Sequence, residues 1–411
     1  MPDMQVLVND FATKLKKHEF GGSHAAARLT AELLRSLVSQ QRLSYGDQAE
    51  ALIEAIRAVG EQLIAVNPVE LAIGNIVRRV LHIIREEDLS LMINDVGELK
   101  LLAGSDNEDI VEQNDNPVLS VATIGARSIL RTPSLHALLE YSPDSAAVHH
   151  TSSGGDCRGK YNSDKSARSR KLKHEVIEAI NEVLQDIDSC HEQIAEQAVE
   201  HIHHKEIILT LGRSKTVLEF LCAAKEKKRS FQVLVAEGAP RYQGHVLAKE
   251  LAARGLQTTL ITDSAVFAMI SRVNMVIVGV RAVMANGGVI APVGLNMVAL
   301  AARKHAVPFV VVAGTHKLCP LYPHKPEILL NDMRSPSELL DFGEFSDCMD
   351  FGIGTGDPLL HVTNPAFDYV PPELVNLFIT DIGGYNPSYM YRLIADYYSA
   401  DDLVVQRKPT P

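Results

Sequence analysis

Six short apolar runs lie between residues 206 and 381, and they constrain the fold of this chain more than any other feature of its sequence. The runs are EIILTLG, FQVLVAEG, QTTLITD, VNMVIVGV, PFVVVAG and NLFITD. Stretches with helical spacing separate several of them, among them VLEFLCAAKEKK, GHVLAKELAARG and LNMVALAARKH. Strands that are apolar on both faces need helices on both sides. The pattern therefore predicts a Rossmann-like, doubly wound parallel-sheet α/β domain over residues 205–411.

The region before the sheet has the spacing of α-helices. Apolar residues recur every three or four positions through NPVELAIGNIVRRVLHIIREED and through KLKHEVIEAINEVLQDIDSCHEQIAEQAVEHIH. We predict an N-terminal all-helical domain over residues 1–141 and a connecting helix over residues 171–204. Within the first domain, residues 85–120 carry ten acidic and two basic side chains and are interpreted as a solvated connector. Residues 142–170 are rich in Ser, Gly and charge, which predicts a disordered insert.

The charge of the chain argues against direct binding to nucleic acid. It contains 40 Lys and Arg residues against 51 Asp and Glu residues, a formal net charge of -11. An acidic protein has a weak nonspecific attraction for phosphate backbones. There is no Trp, and aromatic residues make up only 5% of the chain, so base-stacking platforms are not expected either.

Three features of the sequence predict a cytosolic protein. The five cysteines have no CxxC spacing, which fits a reducing compartment better than a disulfide framework. The first twenty residues have no continuous apolar core of the kind that a secretory signal needs. Residues 282–302 are uncharged, but they contain Asn, Pro and three Gly residues, so a strand, a turn and a helix are favoured over a membrane span.

Ligands of doubly wound sheets bind beyond the carboxyl ends of the strands. Three titratable residues follow those ends here, Glu237, Asp263 and His316, but the sequence does not place them within proton-transfer distance of one another. We interpret Asp263 as a cap of the helix that follows it and Glu237 as a turn or interface residue. Neither GxGxxG nor GxxxxGK[ST] occurs, so no nucleotide cofactor is predicted.

A metal site is not predicted from the histidine cluster HIHH. His201, His203 and His204 end a helix, where cationic imidazoles complement the helix dipole. No cysteine or carboxylate is spaced to complete a tetrahedral site around them. Cys222 lies in the helical stretch VLEFLCAAK and is interpreted as a small core residue.

Several runs resemble the regulatory subunits of eukaryotic translation initiation factor 2B. They are LTLGRSKTVLEFL, VLVAEGAPRYQGHVLAKELA, ITDSAVFAMISRVNMVIVG, ANGGVIAPVGLNMVALAA and FDYVPPELVNLFITDIGGYNPSYMYRLIADYY, together with VNPVELAIGNIVRRVLHIIREE in the helical region. The resemblance covers about residues 60–90 and 171–405. The last sheet run and NIVRRVL look more like the beta members of the family than the alpha or delta members.

The resemblance implies a non-catalytic regulatory subunit, without a cofactor, of the complex that exchanges GDP for GTP on initiation factor 2. It implies a heterodimer with the delta subunit, a decamer that also contains alpha, gamma and epsilon subunits, and a cytosolic location. It also implies contact with initiation factor 2. Through this contact the chain would help the complex to sense phosphorylation of the alpha subunit of that factor and so control translation initiation.

This family is in turn similar to methylthioribose 1-phosphate isomerases and related sugar-phosphate isomerases. Where those enzymes carry a cysteine, this chain has Gly212, and where they carry an acid/base aspartate, it has Arg281. Glycine has nothing to titrate and arginine stays protonated, so the resemblance implies that isomerase chemistry is lost. What it implies instead is a vestigial ligand crevice made of Gly212, Arg213, Glu237, Ala239, Arg281 and Asn286.

A partner-binding face is predicted on the helix AIGNIVRRVLHIIRE. Arg78, His82 and Arg85 stand at i, i+4 and i+7 and share one side of that helix. Phosphorylation of a serine adds about -1.5 to -2 charges, which a basic face would accept. Our hypothesis is that this side faces the alpha subunit of initiation factor 2. The alternative is a solvated or intramolecularly paired face.

Two other functions stay open at this point. The crevice near Arg213, Arg281 and Asn286 could bind a nucleotide or a sugar phosphate, so that the chain acts as a sensor. The chain could also be an active aldose-ketose isomerase that uses another pair of groups, such as Glu237 and Asp263.

Overall fold

The computed structural model of the chain describes residues 4–17, 21–41, 48–103, 158–323, 331–340, 343 and 361–402. Contacts between residues divide the chain into two compact units. The first contains Met1–Arg85 and Lys173–Pro411, and the second contains Glu86–Leu172. The predicted domain boundaries themselves stay a prediction.

The N-terminal region is helical, as the apolar spacing predicts. Its helices are α1 (Met4–Lys16), α2 (Ser23–Gln40), α3 (Gln48–Val66) and α4 (Leu71–Ala103). Phe11 of α1, Leu33 of α2 and Leu63 of α3 pack in one apolar cluster. Residues 86–103 continue α4, whereas the sequence analysis assigns them to a solvated connector. They contain Glu, Leu, Met and Lys but no Pro, so a helix that has already formed is free to propagate through them.

The connecting helix is longer than its apolar pattern predicts. Helix α5 runs over Arg158–Glu196, and the short helix α6 over Ala198–His201 follows it. Residues 158–170, assigned above to a disordered insert, are therefore the first turns of α5. Elongation of an existing helix costs little, which explains why a segment without apolar surface can be helical. Residues 142–157 lie outside the described residues.

Ten strands follow within the described residues. They are β1 (Ile207–Leu211), β2 (Gln232–Ala236), β3 (Gln257–Ile261), β4 (Met275–Gly279), β5 (Ala282–Val283), β6 (Val289–Pro292), β7 (Phe309–Val312), β8 (Phe367–Val370), β9 (Leu377–Thr380) and β10 (Gly383–Tyr385). Seven strands form one sheet in the order β10-β9-β7-β4-β1-β2-β3. All neighbours in it are parallel except β10, which is antiparallel to β9. Each of the six predicted strands is present.

Helices cover both faces of this sheet, which confirms the doubly wound architecture. They are α7 (Lys215–Glu226), α8 (Gln243–Ala253), α9 (Val266–Met269), α10 (Leu295–Lys304) and α11 (Met390–Tyr397). Phe220 of α7 and Leu247 of α8 pack with Ile277 on one face. Leu295 of α10 and Leu393 of α11 lie in the apolar cluster of the other face.

A second sheet of three antiparallel strands, in the order β5-β6-β8, was not predicted. Its first two strands and α10 account for the uncharged stretch 282–302, which confirms the interpretation as strand, turn and helix. Among the helices of the described ranges, none combines the length and the apolar character that crossing a bilayer requires.

Candidate functional site

A cleft of about 680 Å³ lies beyond the carboxyl ends of the central strands, and of the six predicted crevice residues Arg213 and Arg281 line it. Gly21 and Gly22 before α2 and Asn67 and Val69 before α4 complete its walls. Its charged lining residues are Glu70, Arg213, Arg241, Arg281, Asp332, Arg334 and Glu338. The cleft therefore contains four guanidinium groups and three carboxylates.

Arg281, which stands where the isomerases have their aspartate, is paired with Glu70. Its Nη2 atom donates to Glu70 Oε2, and its guanidinium carbon lies 4.8 Å from the centre of the Phe367 ring. The Glu70 side chain is 6% exposed. Burial raises the pKa of the Glu70 carboxyl, and the charge of Arg281 opposes that shift. A permanently protonated group thus occupies the position that acid/base chemistry would need.

Gly212, which stands where the isomerases have their cysteine, offers no nucleophile. Its φ of +66° is in the left-handed region, which favours glycine. An added Cβ atom would meet no atom within 4 Å. The neighbouring Arg213 turns to α8, where its Nη2 and Nε atoms donate to Glu250 at 2.7 and 3.1 Å. The position of the thiol is therefore open space beside an ion pair.

Asp263 does not cap the helix that follows it, so that prediction is wrong. Its two carboxylate oxygens accept hydrogen bonds from the backbone amides of Gly238 at 2.9 Å and Ala239 at 2.7 Å. Because β2 and β3 are adjacent and parallel, the loops after them meet, and the free amides of one loop reach the carboxylate of the other. Glu237 instead faces His245, with 3.5 Å between Oε2 and Nε2. The structure thus gives Glu237 and Asp263 separate partners.

Asn286 lies in the hairpin between β5 and β6 and does not line the cleft. Its Nδ2 atom donates to the Tyr369 hydroxyl at 2.7 Å, and its Oδ1 atom accepts from the Gly288 amide at 2.9 Å. Since Arg213 and Arg281 are held by carboxylates as well, the three residues proposed for phosphate binding all have partners within the chain.

Five charged residues of the cleft were not predicted from the sequence, Glu70, Arg241, Asp332, Arg334 and Glu338. Arg241 Nη2 donates to Glu338 Oε1 at 2.9 Å. Arg334 is half-buried, and burial, followed by the charge of Arg241, lowers its pKa. Arg241 lies three positions after a predicted strand run, and Glu70 lies in the run NPVELAIGNIVRRVL. Asp332, Arg334 and Glu338 come from a segment without a recognised motif.

The predicted partner-binding face turns toward the chain's own Asp402. The side chain of Asp402 is fully buried, and it accepts hydrogen bonds from Arg85 Nη2 at 2.8 Å and Arg57 Nη2 at 3.3 Å. Arg78, also buried, donates from Nε to the Asp402 backbone oxygen at 3.3 Å. We call these four residues the Asp402 clamp. His82 is half-buried on the same helix. The clamp matches the intramolecularly paired alternative, and contact with initiation factor 2 stays a prediction.

The structure also assembles imidazole and thiol groups that the sequence analysis did not connect. In the HIHH cluster, His204 Nδ1 accepts from the Ser230 amide at 3.3 Å. Elsewhere, His24, Cys190 and His191 bring one potential metal ligand each to within 4.8 Å of one another. His24 and Cys190 are 166 positions apart in the sequence, so no local spacing could reveal this group.

A comparison with protein families finds that residues 19–387 match the Initiation factor 2 subunit family. The translation initiation factor eIF2B subunit beta of Dictyostelium discoideum is 41% identical over 394 residues, which cover 96% of this chain and 95% of that protein. The protein of the same description from Schizosaccharomyces pombe is 37% identical over 404 residues and 97% of each chain. The ribose 1,5-bisphosphate isomerase of Archaeoglobus fulgidus is 32% identical over 225 residues, 54% of this chain and 67% of the isomerase.

Solved structures have the same fold. The crystal structure of eIF2B beta from Chaetomium thermophilum superposes with a TM-score of 0.63 at 24% identity, over 98% of this chain and 93% of that chain. The tetrameric eIF2B-beta2-delta2 complex of the same organism gives a TM-score of 0.62 at 24% identity, over 96% of both chains. The similarity thus extends through the helical region as well as the sheet.

Proposed function

The chain belongs to the Initiation factor 2 subunit family and is a regulatory subunit of the eIF2B exchange factor complex, and we propose that it helps this complex to respond to phosphorylation of initiation factor 2. It is not an enzyme, although related isomerases exist in archaea. A delta subunit is its partner within a larger assembly. We further propose a decamer with alpha, gamma and epsilon subunits, located in the cytosol.

One observation carries the non-catalytic role, the pairing of Arg281 with Glu70. Sugar-phosphate isomerisation requires a group that takes up and releases a proton near neutral pH. Arginine does not do so, and Glu70 is held by that same arginine. With open space at Gly212, neither of the two positions that carry the acid/base groups of the isomerases has a group that could move a substrate proton.

An exposed apolar surface is the proposed docking site for the delta subunit. Phe267 of α9 and Met297 and Leu300 of α10 are 57%, 45% and 54% exposed. They line one shallow depression, whose rim includes Lys304 and Asp368. Single exposed apolar residues are ordinary, but a contiguous group with a polar rim is typical of a protein interface. We call Phe267, Met297 and Leu300 the α10 surface.

The double substitution Met297→Glu and Leu300→Glu tests this surface in the full chain co-expressed with a delta subunit. Two charges at the centre of an apolar interface should abolish the heterodimer in native mass measurement, while circular dichroism stays unchanged. Val246→Glu is the matched control, because Val246 is 42% exposed on α8, on the opposite side of the sheet. A heterodimer of unchanged stability in the double variant would refute the assignment.

The proposed contact with the phosphorylated alpha subunit has to take the Asp402 clamp into account. Arg85 already holds Asp402, so a phosphoserine would have to compete with that carboxylate or bind the remaining donors of the guanidinium. A simple charge reversal of Arg85 would therefore disturb the fold as well as the partner.

A neutral substitution separates the two effects. Arg85→Gln removes the charge from α4 while Arg57 still donates to the buried Asp402 carboxylate. In the assembled complex, Arg85→Gln should weaken binding of phosphorylated initiation factor 2 more than binding of the unphosphorylated form. An Arg85→Gln complex that binds both forms as tightly as the original complex would refute the proposal.

A further inference from the structure

A buried group of imidazole and thiol side chains lies where α2 and α5 meet the end of β7, and none of its members lines the cleft. His24 is in the first turn of α2, and Cys190 and His191 are consecutive on α5. One ligand atom from each of the three lies within 4.8 Å of the others. The rings of His24 and His191 are stacked, with 4.7 Å between their centres.

His316 adds a fourth potential ligand to this group. It is 5% exposed, and neither of its ring nitrogens has a hydrogen-bond partner. Its ring stands edge-on to that of His24, with 5.7 Å between the centres. A Cβ atom added to Gly314 would lie 2.8 Å from His316 Nδ1 and 3.3 Å from Cys190 Sγ, so these two atoms approach the same point of the backbone.

The positions of these side chains are fixed by outer hydrogen bonds, as in many metal sites. His24 Nε2 is 2.9 Å from the Ile187 backbone oxygen, to which it donates, and this leaves Nδ1 available. His191 Nδ1 lies 3.2 Å from the Thr216 hydroxyl and 3.8 Å from Cys190 Sγ. Asp381 accepts from the Thr315 amide at 2.8 Å and holds the turn that carries His316.

In an ordinary protein core, buried polar atoms have hydrogen-bond partners. A buried polar atom without a hydrogen bond is energetically unfavourable, and His316 has two such nitrogens. Burial lowers the pKa of His24 and His316 and lowers that of His191 to about 4. The imidazoles are therefore neutral at pH 7, and neutral imidazole is the form that binds metals.

The charges around the group are of both signs. Lys317 is buried next to His316, and burial lowers the pKa of its ammonium group. The carboxylates of Asp381 and Asp188 act on Cys190 with the opposite sign. Burial raises the pKa of the Cys190 thiol to about 12. A metal would displace that thiol proton to solvent and replace it with a sulfur–metal bond.

We propose that His24, Cys190, His191 and His316 bind one Zn²⁺ ion. Three neutral imidazoles and one thiolate are a four-coordinate set that Zn²⁺ prefers, and a set without an open position is structural rather than catalytic. Zn–N distances of about 2.0–2.1 Å and a Zn–S distance of about 2.3 Å require the ligand atoms to move closer together, since those of His24, Cys190 and His191 now lie within 4.8 Å of one another. The ion would join α2, α5 and the turn after β7 at one point.

The test uses the full chain, purified without a histidine tag. Elemental analysis should find about one zinc per chain, and Co²⁺ added to the stripped protein should show tetrahedral d–d absorption with a thiolate charge-transfer band. Cys190→Ser should remove that band and weaken zinc binding by at least about tenfold. The matched control is Cys222→Ser, because Cys222 is also a buried free thiol but lies on α7.

Two results would overturn the proposal. One is a wild-type chain that binds neither Zn²⁺ nor Co²⁺ at micromolar concentrations. The other is a thiolate–cobalt band that persists unchanged in Cys190→Ser or disappears in Cys222→Ser. If Cys190→Ser fails to fold, the wild-type cobalt spectrum and a His316→Gln variant decide the question, since His316→Gln should change the d–d absorption and retain the charge-transfer band.

Discussion

The Asp402 clamp and the Arg213–Glu250 pair use the same two chemical groups at different depths. In the clamp, the carboxylate is fully buried and two guanidinium groups donate to it. In the cleft, Arg213 and Glu250 are 43% and 31% exposed, although their bidentate geometry is better. Arg57 and Arg85 are also partly exposed, so the difference between the two sites is the burial of the carboxylate, and we expect that burial and not geometry to decide what each contributes to stability. The Arg281–Glu70 pair is intermediate in this respect, because the Glu70 side chain is 6% exposed.

Removal of the carboxylate from the Asp402 clamp should give the largest loss in the free energy of unfolding. Asp402→Ala leaves Arg57 and Arg85 without their carboxylate next to the buried Arg78, and breaking such a buried pair costs about 3 kcal/mol. Urea denaturation of the full chain should show this loss in the free energy of unfolding.

The neighbouring residue supplies the control for this prediction. Asp401 is 76% exposed and lies 3.7 Å from Arg85, so Asp401→Ala should change the unfolding free energy by less than about 1 kcal/mol. Equal losses in both variants would contradict the distinction between a buried and an exposed carboxylate.

Glu70→Gln should have a smaller effect, and one that depends on pH. Burial raises the pKa of Glu70 in the folded chain above its ordinary value of 4.5. The folded state therefore binds this proton more tightly than the unfolded state, and the resulting stability is present below pH 4.5 and lost as pH rises through the folded pKa. As pH rises from 4.5 through the folded pKa of Glu70, the wild-type chain should lose stability relative to Glu70→Gln.

Urea denaturation of both proteins at several pH values from about 4.5 to 7 measures this difference. Glu338→Gln is the matched contrast, because the hydrogen bond from Arg241 lowers the pKa of the Glu338 carboxyl, so the wild-type chain should not lose stability relative to that variant as pH rises. A difference between wild type and Glu70→Gln that stays constant with pH would mean that burial of Glu70 has no energetic consequence.

The exposed pair should give the smallest effect. Glu250→Ala removes the partner of Arg213, but both side chains are partly solvated, so the loss should be about 0–1 kcal/mol and should shrink in high salt. A loss as large as that of Asp402→Ala would show that exposure is the wrong variable for comparing these sites.

Strands could be predicted from the sequence where the apolar pattern of a single segment is sufficient to identify them. Five of the six predicted strands are largely buried, so each is a continuous apolar run that can be recognised alone, whereas β3 lies at the edge of the sheet and is partly exposed. Strand β5 has only two residues and β10 has the sequence GGY. Neither has enough length or side-chain character to distinguish it from a turn.

Side-chain partners were beyond the reach of sequence patterns. The spacing of Arg78 and Arg85 correctly places them on one side of α4, but the group that they hold comes from Asp402. Arg281 and Glu70 are 211 positions apart. Asp263 was assigned to its own helix because local capping is the common case, whereas the pairing of β2 with β3 gives it a closer set of amides. Such choices depend on how distant segments meet in three dimensions.

The Asp402 clamp also has a consequence for the order of events during synthesis. Arg57 and Asp402 are separated by 345 positions, so a ribosome has to complete all of that length before the two can meet. Until Asp402 has been synthesised, we expect the arginines of α3 and α4 to stay hydrated, and the two helices lack their contacts with Asp402. Final consolidation of the helical region is thus a late step, and a subunit that recognises its finished surface has to arrive after translation has passed residue 402.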